Sequence, residues 1–280
     1  MKYTFLHGLT LLAAFCLPIS VTAVEDSESP EPEGAKLVRL VTATSTVSSG
    51  LMDVIKPAFE KDTGFQLSVG AFGTGRSLRV AREGLADALL VHSPPAELKF
   101  MARGYGKDRK FVMKNAFVIA GPSHDPADIA VESSVVDALM KIYKQRALFV
   151  SRADDSGTHK KEVVLWKAVD IDPFGDWYIE YGKGMGDTLN YAARKQAYVL
   201  VDKGTWLARH KELNLKVLFQ NDGLLDNPYH LITVSPEKAA TVNADGANEF
   251  MRWILSEKAQ ALIGSVRVNG EKLFTPATGK

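Results

Sequence analysis

The 280-residue sequence predicts an α/β protein of two lobes, with mostly parallel sheets, helices on both faces and a hinge of two chain crossings. Three observations predict it. Runs of strand formers alternate with segments of helical spacing along almost the whole chain, an alternation that buries parallel strands under helices. Turns rich in Ser, Thr and Gly recur where a strand feeds a helix, and open parallel sheets bind ligands at such turns. Two polar, turn-rich breaks, near Ser123 and near Asn227, mark where the chain leaves one lobe and returns.

Met1-Lys2, an apolar stretch from Phe5 to Ile19 and the small-residue site Val21-Thr22-Ala23 predict an export signal over 1–23. Its apolar core is short and carries Pro18, and no later stretch is long enough to span a membrane. The expected location is periplasmic, with no direct membrane insertion. Cys16 is the single cysteine and lies in the signal behind Phe15, so no lipid anchor, disulfide, thiolate metal site or cysteine nucleophile is expected. One of the 34 bases leaves with the signal, and the rest balance the 33 acids. That balance argues against a nucleic-acid partner. Positions 24–36, acidic and without apolar period, read as a disordered leader.

Lobe 1 is expected over 37–122 and 231–280, and lobe 2 over 123–230. In lobe 1, strand 37–41 runs through a hydroxyl-rich turn, 42–50, into a helix ending at Thr63-Gly64. Strand 65–72 meets Gly73-Thr74-Gly75-Arg76 and a helix over 78–85; this turn lacks the lysine and spacing of a nucleotide loop. Strand 86–91 ends at His92-Ser93, where a lone histidine reads as a structural hydrogen-bonder. Helix 96–103 and strand 111–120 close the first part. In lobe 2, helix 134–144, strand 147–150 and helix 160–169 repeat the pattern, followed by strand 177–181, the glycine-bearing entry 182–188, strand 197–201 and helix 206–211. Strand 229–234 returns to lobe 1, and helices 247–255 and 257–263 pack there.

Two turns carry the chemistry. Ser151-Arg152-Ala153-Asp154-Asp155-Ser156-Gly157-Thr158-His159 lies at a strand-to-helix turn, whose free N–H groups and dipole attract anions. Its hydroxyls, the guanidinium of Arg152 and a backbone opened by Gly157 all donate. The alternative is a capped helix start, with Ser156 or Asp155 as the cap and Arg152 on the surface. The second turn, 42–50, has hydroxyls at six of nine positions, more than a cap requires. Together they predict a cleft for a tetrahedral oxyanion, with Arg152 as the one formal charge in contact and Asp154 and Asp155 as the acceptors to watch. A carboxylate facing the cleft favours protonated phosphate; carboxylates turned away favour a fully deprotonated ion. No catalytic residue and no metal cation site is expected. Ser156, His159 and Asp154 share one turn rather than three elements, so a secreted serine hydrolase is the weaker alternative. His124, His159, His210 and His230 are scattered. An organic anion remains open if Trp177, Tyr178 or Tyr229 lines the cleft.

Thr42-Ala43-Thr44-Ser45-Thr46 ahead of Ser49-Gly50-Leu51, Leu89-Leu90-Val91-His92-Ser93, the run from Ser151 to Glu162, and Gly184-Met185-Gly186-Asp187-Thr188-Leu189 resemble the TupA-type tungstate-binding proteins of ABC transporters. The resemblance implies a periplasmic type II solute-binding fold that delivers tungstate, and less selectively molybdate, to a permease with its ATPase. The tungsten is carried as an oxyanion, no cofactor is needed, and a monomer is expected. Carried over by position, the oxyanion contacts are Thr42, Thr44, Ser45, Arg152, Ser156 and Thr158, with Ala43 and Gly157 contributing backbone. The family usually has threonine at Ala43 and often aspartate at Ser49. Losing one neutral hydroxyl costs about 1 kcal/mol, roughly five- to tenfold in affinity. Phosphate, sulfate and small organic anions are the alternative ligands.

Overall fold

The computed structural model describes residues 36–277; the expected signal, 1–23, and all but the last position of the leader, 24–36, lie outside the described residues. Strand β1 (Lys36–Ala43) runs into a five-residue helix, α1 (Thr44–Ser48), and then α2 (Leu51–Thr63). The turn expected over 42–50 is thus divided. Thr42 and Ala43 finish the strand, and Gly50 at φ +76° breaks one helix from the next. β2 (Phe65–Phe72), α3 (Thr74–Arg82), β3 (Ala88–Val91) and α4 (Pro94–Ala102) follow. Thr74-Gly75-Arg76 is the first turn of α3 rather than a loop before it.

β4 (Gly106–Gly121) is the longest strand, and α5 (Val135–Gln145), β5 (Phe149–Ser151), α6 (Gly157–Ala168) and β6 (Tyr178–Glu180) come after it. Then come α7 (Met185–Lys195), β7 (Tyr198–Asp202), α8 (Lys203–Arg209), β8 (Lys216–Phe219) and β9 (Asp226–Val234). The chain ends with α9 (Ala244–Ile254), α10 (Glu257–Ser265) and the two-residue strands β10 (Arg267–Val268), β11 (Glu271–Lys272) and β12 (Thr275–Pro276).

The main sheet runs β2-β1-β3-β9-β4-β7-β5-β6. β1 is parallel to β2 and β3, and β5 is parallel to β6 and β7, so each lobe has its parallel ladder. The join is antiparallel. β4 pairs with β9 from Gly106 to Ala116 and with β7 from Phe117 to Ala120. The two lobes meet along these strands, which form the two crossings.

The lobe 1 core is built on α2, α9 and α10, where Phe59 meets Phe250 edge-on at 5.0 Å and Trp253 at 5.5 Å. Trp253 Nε1 donates to Asp62 at 2.9 Å and ties the C-terminal helices to the first lobe. Lobe 2 is filled by Trp166, Phe149, Trp177 and Tyr198, all buried. Fully burying one such ring stabilises by about 3 kcal/mol, which is ample for a chain without a disulfide.

Candidate anion-binding cleft

The parallel strands of both lobes end at one cleft of about 740 Å³. Its lining comes from the amino ends of five helices: Thr44 of α1, Thr74 of α3, Gly157 of α6, Met185 of α7 and Gly204 of α8. Among the described residues, no side chain caps α1, α3 or α7. Their first N–H groups therefore face the cleft without a capping acceptor, and their dipoles add a positive field.

The structure brings Ala43, Thr44, Ser45, Arg152, Ser156, Gly157 and Thr158 together at this cleft, with Ser48 and Ser49 beside them. Thr42 is the exception. It is fully buried, and its Oγ1 donates to the Leu90 carbonyl at 2.8 Å, bonding β1 to β3 instead of lining the cleft. Trp177 and Tyr229 lie in the core, and Phe72 is the aromatic that reaches the lining.

The loop 151–157 is held by its own side chains. Ser151 Oγ accepts from Ala153 N at 3.2 Å, and Asp154 Oδ1 accepts from Ser156 N at 3.1 Å. Arg152 Nη2 pairs with Asp154 Oδ2 at 2.5 Å, while its buried Nε has no partner among the described residues. Asp155 pairs with Lys160 at 2.7 Å. Ser156 is the N-cap of α6, its Oγ accepting from His159 N at 3.3 Å. His159 Nδ1 in turn accepts from Asp155 N at 3.0 Å. These hydroxyl and imidazole contacts are those of a capped turn, with no Ser156–His159 side-chain bond among the described residues. Thr74 Oγ1, buried in the lining, also lacks a partner among the described residues.

The expected single charge is not alone at the cleft. Arg76, Arg79 and Arg209 line the cleft with Arg152, against Asp154, Asp155 and Asp202. Arg76 lies over the Phe72 ring at 4.4 Å. Asp202 is engaged as the cap of α8, accepting from Thr205 N at 2.9 Å and Thr205 Oγ1 at 2.8 Å. In the sequence, Arg76 was visible beside its Gly-Thr-Gly turn. Arg209 gave no such signal, because it sits at the end of α8 and reaches the cleft only through the fold.

His92 closes the cleft floor. Its Nδ1 is 2.9 Å from Asn227 Oδ1, an atom that only accepts, so the ring proton is on Nδ1. The ring stacks on Tyr229 at 4.7 Å. Burial, with the Arg152 cation, pushes its pKa below the ordinary histidine value, and the Asn227 bond and the Asp202 and Glu97 charges offset only part of this. Gly157 is explained by the same ring: a Cβ there would lie 2.6 Å from His92 Cε1. Beneath the loop, Glu162 is 2 % exposed and accepts from Tyr178 Oη at 2.6 Å. Burial pushes its carboxyl up to about 7 despite hydrogen bonds from Tyr178 and Ser151. Among the described residues no cluster of three His, Cys, Asp or Glu is placed to hold a metal ion, and no helix is long and apolar enough to cross a membrane.

A PBP superfamily domain matches residues 29–258. The tungstate-binding protein TupA of Peptoclostridium acidaminophilum is 45% identical over 279 aligned residues, covering 96% of this chain and 98% of its own. Among solved structures, the tungstate-binding protein TupA from Desulfovibrio alaskensis G20 matches with a TM-score of 0.80 at 40% identity, over 86% of this chain and 99% of that one. The tungstate ABC transporter structure from Geobacter sulfurreducens matches with a TM-score of 0.73 at 40% identity, over 81% of this chain and 97% of that one.

Proposed function

We propose, from the premise that this chain belongs to the PBP superfamily and within it to the family of the TupA tungstate-binding proteins, that it is a periplasmic receptor capturing tungstate between its lobes and handing it to an ABC permease with its ATPase. The observation that carries the reading is the set of donors meeting at one cleft: uncapped helix ends, the hydroxyls of Thr44, Ser45 and Thr158, and the unpartnered Nε of Arg152. A small oxyanion satisfies them all. The contacts are Thr44, Ser45, Arg152, Ser156 and Thr158, with backbone from Ala43 and Gly157. The lobes that close are those expected over 37–122 with 231–280 and over 123–230, with the first crossing shifted into β4 between Ala116 and Phe117, and the unit is a monomer.

The placement of the carboxylates supports a fully deprotonated ligand. Asp154 is bound to Arg152 and Asp155 to Lys160, so each carboxylate is partly engaged as an acceptor before a ligand arrives. Tungstate and molybdate need donors only, and their like-charge conflict with the carboxylates is reduced by that pairing. Calorimetry with tungstate, molybdate, sulfate and phosphate tests the reading. Tungstate is expected to bind most tightly, and Arg152→Ala to lose roughly ten- to hundredfold, the worth of a charged hydrogen bond. Silence with all four ions, or an Arg152→Ala variant that binds like the parent, overturns it.

A further inference from the structure

Two guanidinium groups in the cleft lining keep a buried Nε without a hydrogen-bond partner among the described residues, those of Arg152 and Arg209. Their surroundings differ. Arg152 is ion-paired with Asp154, so that loop brings a nearly neutral pair to the ligand. Arg76 and Arg79 are exposed to water. Arg209 is half-buried, and no ion pair to it forms among the described residues. Its buried Nε is costly to keep from water without an acceptor, and an anion in the cleft would supply one.

Its seat sharpens the point. Gly186, in the first turn of α7, lies so close to Arg209 that a Cβ there would be 2.9 Å from Nη1. The cation therefore rests against the amino end of α7, which has no side-chain cap. A positive side chain at the positive end of a helix dipole is placed against the field. An anion beside both is attracted by each, and these attractions offset the two costs.

We infer that Arg209 is a second binding guanidinium for the oxyanion, and that it sets the preference of the cleft for doubly over singly charged tetrahedral ions. The inference rests on the oxyanion reading given above. The helix amino ends and the nearly neutral Arg152–Asp154 pair suffice for one negative charge, and the second charge of a dianion is matched by Arg209. Gly186 is the space that lets the guanidinium reach it.

Perrhenate, a tetrahedral monoanion of nearly the same size and shape as tungstate, separates charge from shape. The full chain is titrated with tungstate, and with perrhenate directly or in competition, as parent, Arg209→Gln, Arg209→Lys and Gly186→Ala. Arg252→Gln, an exposed arginine of α9, serves as the control. Arg209→Gln is expected to weaken tungstate roughly thirtyfold and perrhenate less than about threefold, as removal of a charged hydrogen bond predicts. Arg209→Lys should recover part of the loss. Gly186→Ala should weaken tungstate too, with an unchanged or higher Tm because alanine is the better helix former. An Arg209→Gln variant that binds tungstate like the parent overturns the inference and leaves the oxyanion reading standing. Equal losses for both ions also overturn it, since a structural role lowers both alike. A parent chain that binds neither ion overturns the oxyanion reading, and the inference with it.

Discussion

The backbone of the Arg152 loop is bent where an L-residue resists bending. Ala153 has φ +45° and Asp155 has φ +58°, both in the left-handed region. Aspartate tolerates it through local hydrogen bonding, but alanine has no such compensation. Ala153→Gly is therefore expected to stabilise the protein by about 1 kcal/mol, a rise of roughly 2–4 °C in Tm for a chain of this size. Thermal melts of parent and variant check it, and an unchanged or lower Tm would contradict the strain. At this scale the sequence was readable in part. That Arg152, Ser156 and Thr158 come to one cleft was legible from residue type within one turn. The tie from Thr42 to Leu90 and the fit of Gly157 to His92 were not, because each partner lies some fifty or more positions away and only the fold supplies it.

The helix α6 begins at the Arg152 loop and carries Glu162 on its buried side. With its carboxyl raised to about 7 by burial, the folded chain keeps a proton that the unfolded chain releases near its ordinary value. Stability from this group is complete below that ordinary value and declines as pH rises towards about 7. His92, shifted down, acts in the opposite sense, its contribution being lost as pH falls through the ordinary histidine range. Glu162→Gln keeps the shape without the charge and is expected to remove the decline. Tm measured from pH 5 to 8 in both forms decides it: coincident profiles would mean that Glu162 does not hold the proton. Repeated strand, turn and helix units made most elements legible. The first half of β4 escaped because its run Lys107-Asp108-Arg109-Lys110 reads as surface, whereas Arg109 is paired at 2.7 Å with the fully buried Glu97. β8 escaped because four residues on a sheet edge show no period.

For the whole molecule, donors placed on both sides of the cleft lead us to expect that the proposed binding is linked to closure. Small-angle scattering is expected to give a smaller radius of gyration for the full chain with tungstate than without it, and no such change for Arg152→Ala. An equal radius in both states would place capture in a preformed cleft. The break near Ser123 falls just after β4, whose change of partners between Ala116 and Phe117 lies inside a strand-like run that shows no break in sequence. That four arginines line the cleft could not be read either, since their convergence is a property of topology rather than of any stretch of sequence.

β4 hands its edge from β9 to β7 between Ala116 and Phe117, a single peptide step. Any swing of one half against the other must then be absorbed as torsion in a hydrogen-bonded ribbon, because no slack tether joins them there. A twisted ribbon behaves as a leaf spring. On the capture proposed above, closure would wind that ribbon and loss of the ion would let it unwind.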